Sequence, residues 1–241
     1  MASAGYRGPP RRTGSKHSAV ESAAPEIGGP PKRGRKSGPS ERGARQREKI
    51  LEAAFHCFNT VGFDGATTRA IAHGAGISHT AVLYHFKSKD QLWIATMEMA
   101  IADYIRTIRE GLAASSDILA KEALQTFIKE FVRLSAKSPG VHRMLSMEST
   151  QGTSRLDWII ENYLRDHFTI IRDLIRRGQA EGSVREGDPA RLYYFILSAG
   201  SAPFTLSSEY KALTGRDVFS ETEIYQTIGF IYDIVFLSGA K

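Results

Sequence analysis

The stretch from Thr67 to Lys89, T-T-R-A-I-A-H-G-A-G-I-S-H-T-A-V-L-Y-H-F-K-S-K, constrains this chain more than any other. Three hydroxyl residues, Thr67, Ser78 and Ser88, stand where helices begin, because a side-chain oxygen there accepts from a free first-turn N–H. Thr67 predicts a short helix through His73, with Ile71 and Ala72 facing inward. Gly74-Ala75-Gly76 supplies a turn. Ser78 then caps a helix to about His85, with Val82 and Phe86 buried. Ser88 is followed three residues later by Gln91, the capping-box spacing. It opens a long connecting helix that offers Leu92, Trp93, Met97, Ile101 and Ile105 for packing and ends near Gly111.

Upstream, Ile50, Leu51, Ala54, Phe55, Phe58 and Val61 recur at helical spacing, in a helix that starts near Glu41 or Ala44 and breaks at Gly62. Later amphipathic segments fall near 116–137, 153–178, 188–202 and 220–238, with a short one around 140–147. Nothing from residue 41 onward alternates long enough to argue for a sheet. The expected fold is all-α: a three-helix helix-turn-helix domain at 41–87, followed by a larger helical bundle over 88–241. Residues 1–40 are rich in Gly, Pro, Ser and basic side chains and lack an apolar period, so they are expected to form a disordered arm.

Charge is placed unevenly. Residues 1–49 hold twelve Lys or Arg against four Asp or Glu, a balance of +8. The whole 241-residue chain carries +6, which leaves −2 for the rest. Positive charge beside a helix-turn-helix strengthens phosphate binding and makes it salt-dependent. Within the arm, Pro31-Lys32-Arg33-Gly34-Arg35-Lys36 resembles an AT-hook core, in which a glycine lets flanking arginines enter a narrow minor groove. A nonspecific phosphate-binding role for Arg33 and Arg35 is the alternative. The single cysteine, Cys57, excludes an internal disulfide and reads as a packed core thiol. No window reaches the roughly 18 apolar residues of a membrane span, and no apolar export segment opens the chain, so a cytoplasmic location is expected.

A helix that reads the major groove buries one face and offers polar groups on the other. Ser78, His79, Thr80, Tyr84 and His85 form that outward or end-facing set, while Ala81 permits close approach. His79 and Thr80 lie in the first turn, nearest base edges; Tyr84 and His85 suit phosphates. Thr68 and Arg69 open the preceding helix, and Lys89 opens the following one as a phosphate ligand.

The span from about Gln46 to Leu92 resembles the DNA-binding domain of the TetR family of bacterial regulators. The likeness rests on Ile50-Leu51-Glu52-Ala53-Ala54, Phe58, Gly62-Phe63, Thr67-Thr68-Arg69, Ile71-Ala72 and Ala75-Gly76-Ile77-Ser78. It continues through Tyr84-His85-Phe86, Lys87-Ser88-Lys89-Asp90 and Leu92. One position departs: many relatives carry a phosphate-contacting tyrosine two residues before the histidine of the H-F pair, and Leu83 stands there. Tyr84 is the neighbouring substitute for that contact.

The resemblance implies a transcriptional regulator, released as a repressor from a pseudo-palindromic operator by a small effector, with a C-terminal bundle that dimerises and binds that effector. Leu192, Phe195, Ile196 and Ala199 offer one apolar stripe for a homodimer, and Ile228, Ile231 and Val235 another; Gly200 and Gly229 would allow close approach. Phe127, Phe131, Met144, Met147, Trp158 and Tyr163 offer adaptable apolar surface for a hydrophobic or amphipathic effector. His142, Glu148, Asn162 and His167 would orient it. Ordinary intrachain packing is the competing reading for both sets. No nucleophile pattern, phosphate-binding glycine loop or metal-ligand cluster stands out, so neither enzyme chemistry, nor a cofactor, nor a metal is expected. A ligand-independent DNA-binding repressor and a helical partner-binding protein are the other functions compatible with the sequence.

Overall fold

Ile50, Leu51, Ala54 and Phe58 are buried along helix α1 (Glu41–Gly65), the single apolar face that their spacing demands. The computed structural model describes residues 41–113 and 119–237. The basic arm, with Arg33 and Arg35, lies outside the described residues. Helical geometry fails inside α1 at Gly62, where φ is 72° and ψ 179°, a backbone setting that a Cβ would strain. The break redirects the chain so that Phe63 stacks on Phe58, ring centroids 6.0 Å apart.

Cap chemistry then sets the next three starts. The Thr67 hydroxyl accepts from the Ala70 N–H at the head of α2 (Thr68–Ala75), which closes on Gly76 in the left-handed conformation. Ser78 accepts from Ala81 N–H at the head of α3 (His79–His85). Ser88 accepts from Gln91 N–H as α4 (Lys89–Ala113) begins.

The bundle follows as α5 (Ala120–Lys137), α6 (Pro139–Gln151), α7 (Ser154–Ile159), α8 (Arg165–Ala180), α9 (Pro189–Thr205), α10 (Ser207–Thr214) and α11 (Glu221–Val235). Among the described residues no strand forms; one isolated antiparallel bridge pairs Val184 with Phe236. The all-helical expectation therefore holds. Three details differ from it. The segment expected as one helix over 153–178 carries a π-helical turn at Ile160–Leu164. The short helix around 140–147 extends over thirteen residues, from Pro139 in its first turn to a left-handed Gly152. The helix α10 was not expected; Leu206 and Leu213 beside and within it stay exposed, so no apolar stripe announces it.

Two apolar clusters meet on α4. The first joins Phe58, Ile71, Val82, Trp93 and Met97 of the N-terminal helices with Val141, Met144 and Ile159 of the bundle. The second begins at Ile108 and gathers Leu124, Phe127, Phe131, Ile175 and Ile231. The helical head thus shares its core with α6 and α7.

The stripes expected to dimerise are packed within the protomer. Ile196, Ile228, Ile231 and Val235 are buried in the second cluster, and Leu192, Phe195 and Ala199 pack against it. Periodicity identifies a buried face but not what buries it, and here α5 does. Gly200 belongs to the same contact: a Cβ on it would meet the Phe131 ring at 2.8 Å and Val132 at 3.2 Å. Gly229 has open space beside it. The aromatic Tyr194 of α9 and Phe230 of α11 instead point to solvent, each 63% exposed.

Gly200→Ala should therefore destabilise the protomer itself, by about 1–3 kcal/mol through overpacking against Phe131. Gly229→Ala should lie within about 0.5 kcal/mol of wild type. Denaturant unfolding of both variants checks this; equal stability of the two would contradict the packing described.

Candidate nucleic-acid interface

The short helix α3 is held by its inner face, where Val82 is fully buried and Phe86 nearly so. That leaves Ser78, Thr80 and Tyr84 exposed on the outer face. Tyr84 is 85% exposed, and the aberrant Leu83 beside it 45%. The Tyr84 ring meets His85 edge-on at 5.5 Å. A phenol so open to solvent suits phosphate contact better than core packing.

Thr68 and His79 occupy each other. The Thr68 hydroxyl and His79 Nε2 lie 2.9 Å apart, joining the first turns of α2 and α3. This bond fixes the angle at which α3 leaves the turn, so these two side chains position the reading helix as well as bordering it. Arg69, one residue on, stands exposed at the start of α2.

A feature that the sequence reading missed lies on α1. Arg42 and Gln46 border the same shallow groove as Ser78, Thr80, Tyr84 and His85. Lys49 continues that stripe beside Gly76 and Ile77. The spacing 42, 46, 49 places all three on one helix face; only the packing of α1 against α3 reveals that the face borders the recognition helix. Arg45 lines the same region and pairs with Glu41 at 3.3 Å, both largely exposed.

Lys89 is engaged inward. Its ammonium donates to the carbonyls of Phe63 at 3.0 Å and Ala66 at 3.2 Å and lies 4.2 Å from the centre of the Phe63 ring. Two of its three protons thus serve the α1–α2 junction as a structural clasp. From the bundle, the Arg155 guanidinium reaches the same ring, 3.7 Å from the Phe63 centroid and 5.7 Å from that of Trp93. Arg155 is in turn paired with the buried Glu148 at 3.1 Å, and the Thr153 hydroxyl donates to the same carboxylate. Glu148 therefore anchors the cation at the head–bundle seam.

The other side chains expected to form one effector pocket divide into two groups. Phe127, Phe131 and His167 sit in the solid second core, with the His167 ring 5.5 Å from Phe127 and 6.2 Å from Tyr104. Met144, Trp158 and Tyr163 belong to the head-side cluster, and Met147 lies beside Gly62. Asn162 is exposed and donates to the Trp158 carbonyl. Of the set, His142 alone borders an open cavity, in company with Tyr104. Aromatic abundance signals core volume, whereas a cavity is set by missing volume, which composition does not record. Among the described residues no His, Cys, Asp and Glu group converges as a metal would require, and no helix is long and apolar enough to cross a membrane.

Lys89→Met, which keeps the stem and removes the donors, should cost about 1–3 kcal/mol of stability, by stranding the Ala66 carbonyl and leaving that of Phe63 with the Ala66 N–H alone. The Phe63 ring should also lose its cation. Thermal or denaturant unfolding decides this, and a variant as stable as wild type would leave Lys89 free for another role.

This geometry matches known proteins along most of the chain. Residues 50–96 match the family model described as bacterial regulatory proteins, tetR family. Residues 121–235 match the model for the tetracyclin repressor-like C-terminal domain. The HTH-type transcriptional regulator RutR of Escherichia coli K12 is 25% identical over 190 residues, covering 79% of this chain and 88% of RutR. The HTH-type transcriptional repressor AcnR of Corynebacterium jeikeium is 37% identical over 86 residues, 36% of this chain and 42% of AcnR. Among solved structures, the ketosteroid transcriptional regulator KstR2 of Mycobacterium tuberculosis superposes with a TM-score of 0.65 at 19% identity, covering 80% of this chain and 96% of that one. An HlyIIR mutant protein does so with a TM-score of 0.65 at 18% identity, covering 81% and 98%. These likenesses at low identity speak for the fold, and the two family models span both the head and the bundle. The chain belongs to the TetR family of bacterial transcriptional regulators, and its helix-turn-helix is a DNA-binding head.

Proposed function

We propose that the chain acts as a homodimeric repressor that grips a pseudo-palindromic operator and is released by a small hydrophobic or amphipathic effector. The observation that carries the reading is the exposed first turn of α3, with Thr80 at its tip, beside the polar stripe of α1. Thr80 and Arg69 address base edges. Tyr84, Arg42 and Lys49 address phosphates, and Ser78 and the Thr68–His79 pair hold the reading helix at its angle. Lys89 supports the head from within.

Two heads must reach successive major grooves on one duplex face, about 34–36 Å apart, which calls for a two-fold dimer. With the inward stripes of α9 and α11 taken up by the protomer, the dimer uses their outer face. Tyr194 and Ser198 of α9 and Gln226 and Phe230 of α11 supply it. The effector favours one head arrangement over the other through unequal affinity for the two. A repressor that needs no ligand is the second reading, favoured by the solid packing around Phe127 and Phe131.

Duplexes selected from a random pool by the purified protein should contain two inverted half-sites. Thr80→Ala and Arg69→Ala should each lower affinity for the selected duplex by about 5- to 100-fold while unfolding like wild type. Lys49→Ala should weaken all duplexes alike and reduce the salt slope by about one. Selection of no duplex, or variants that bind as wild type does, would refute the assignment.

A further inference from the structure

A cavity of about 270 Å³ lies between the head and the bundle. Its walls are Phe55 of α1, Ala100 and Tyr104 of α4, Leu134 of α5, and Val141 and His142 of α6. Most of this surface is apolar, and two polar groups interrupt it. The chemistry of the histidine follows from its neighbour. Ser135 donates its hydroxyl proton to the Phe131 carbonyl at 2.8 Å, so its 2.8 Å contact with His142 Nε2 requires that nitrogen to carry the hydrogen and donate. His142 is therefore the Nε2–H tautomer, with Nδ1 left as an acceptor. Burial lowers its pKa to about 4, so the ring stays neutral at physiological pH. Burial, and then the neighbouring Tyr193, raises the Tyr104 pKa well above the ordinary value, which keeps its phenol a donor. The two rings meet edge-on at 6.3 Å. Neither the Tyr104 hydroxyl nor His142 Nδ1 has a hydrogen-bond partner among the described residues.

We propose that this cavity is a binding site for a small neutral alcohol or phenol with an apolar body of one or two rings; it rests on the regulator reading above and names the effector's chemistry. A single hydroxyl accepts from Tyr104 and donates to His142 Nδ1, satisfying both groups with one atom. The apolar body lies against Phe55, Leu134 and Val141. An ionised ligand has no counter-charge in the buried walls, and burying it uncompensated is costly. At the open side Glu52 and Lys137 are exposed and of opposite sign, so they add no net attraction for either charge.

Occupancy is coupled to the DNA-binding head because α1 forms one wall. Beside the cavity α1 rests on Gly140 so closely that a Cβ there would lie 2.9 Å from Asn59 Nδ2 and 3.0 Å from Phe55 Cζ. The Asn59 and Phe55 side chains fill the gap toward α6, and Phe55 is also a cavity wall, so a ligand thicker than the void pushes on α1 and its polar stripe through that ring. The seam yields at this point: Asn59 Oδ1 is buried without a hydrogen-bond partner among the described residues, and opening the contact breaks no bond of that atom. Gly140→Ala crowds the same two side chains and should weaken operator binding in the absence of any ligand.

The probe for the site is 2-naphthol, with naphthalene as its counterpart lacking the hydroxyl. Calorimetric titration of the full-length protein should show one saturable site per protomer, with 2-naphthol bound about three- to tenfold more tightly than naphthalene. Tyr104→Phe should shrink that preference to about twofold or less. Ala100→Phe should abolish binding of both, and Ala100→Leu, a milder filling, should weaken both if the larger residue fails to fold. Undiminished binding to a folded cavity-filled variant, equal affinities for the two probes in wild type, or no binding at all would overturn the site. Selected duplexes are tested separately. A duplex whose binding saturating 2-naphthol leaves unchanged would overturn the coupling. A protein that selects no duplex would instead defeat the regulator reading, with the titrations still judging the cavity.

Discussion

The ring of Phe63 meets two cations, Lys89 from the start of α4 and Arg155 from α7. Much else depends on that stack. Gly62 must break α1 for the ring to arrive there, and Glu148 must be buried to hold Arg155 over it. A cation over an aromatic face gains about 0.5–2 kcal/mol, more when shielded from water. Here one ring serves two such contacts and Arg155 carries a carboxylate partner as well. Glu148 is buried at this seam, while Phe63, Lys89 and Arg155 are partly exposed.

The clasp explains how a three-helix head obtains a stable position at all. A module of some 45 residues buries too little surface to stand firmly alone, and this one borrows Val141, Met144 and Ile159 from the bundle. Shared core makes head orientation a property of bundle packing. Any ligand with unequal affinity for two arrangements of α1 and α4 relative to α6 then shifts the separation of two heads in a dimer. Distance from ligand to DNA is not an obstacle, since α1 and α4 run between them.

Parts of this were legible in the sequence because they are local. Thr67, Ser78 and Ser88 announce their helices through bonds to N–H groups three residues on, and such bonds need nothing from the rest of the chain. The burial of Ile196, Ile228 and Ile231 was legible for the same reason, from helical period. What covers them was not, because period says nothing about the neighbour. Lys89 shows the limit most sharply: its acceptors lie 26 and 23 residues upstream, and only the path of the chain past Gly62 brings them together. Arg42, Gln46 and Lys49 formed a visible stripe whose meaning waited on the direction in which α1 packs. The ligand-facing set was the least legible, since aromatic residues fill space and only their joint arrangement leaves any.

The central claim is that head and bundle are fixed to each other through the Phe63 seam. Spin labels at Lys87→Cys on the head and Glu186→Cys on the bundle, in a Cys57→Ser background and diluted with unlabelled protein, report that distance by pulsed electron resonance. The account predicts one narrow distance distribution, broadened or split when Arg155→Ala removes the bundle's cation. A distribution that is broad from the outset, or one that Arg155→Ala leaves unchanged, would contradict it.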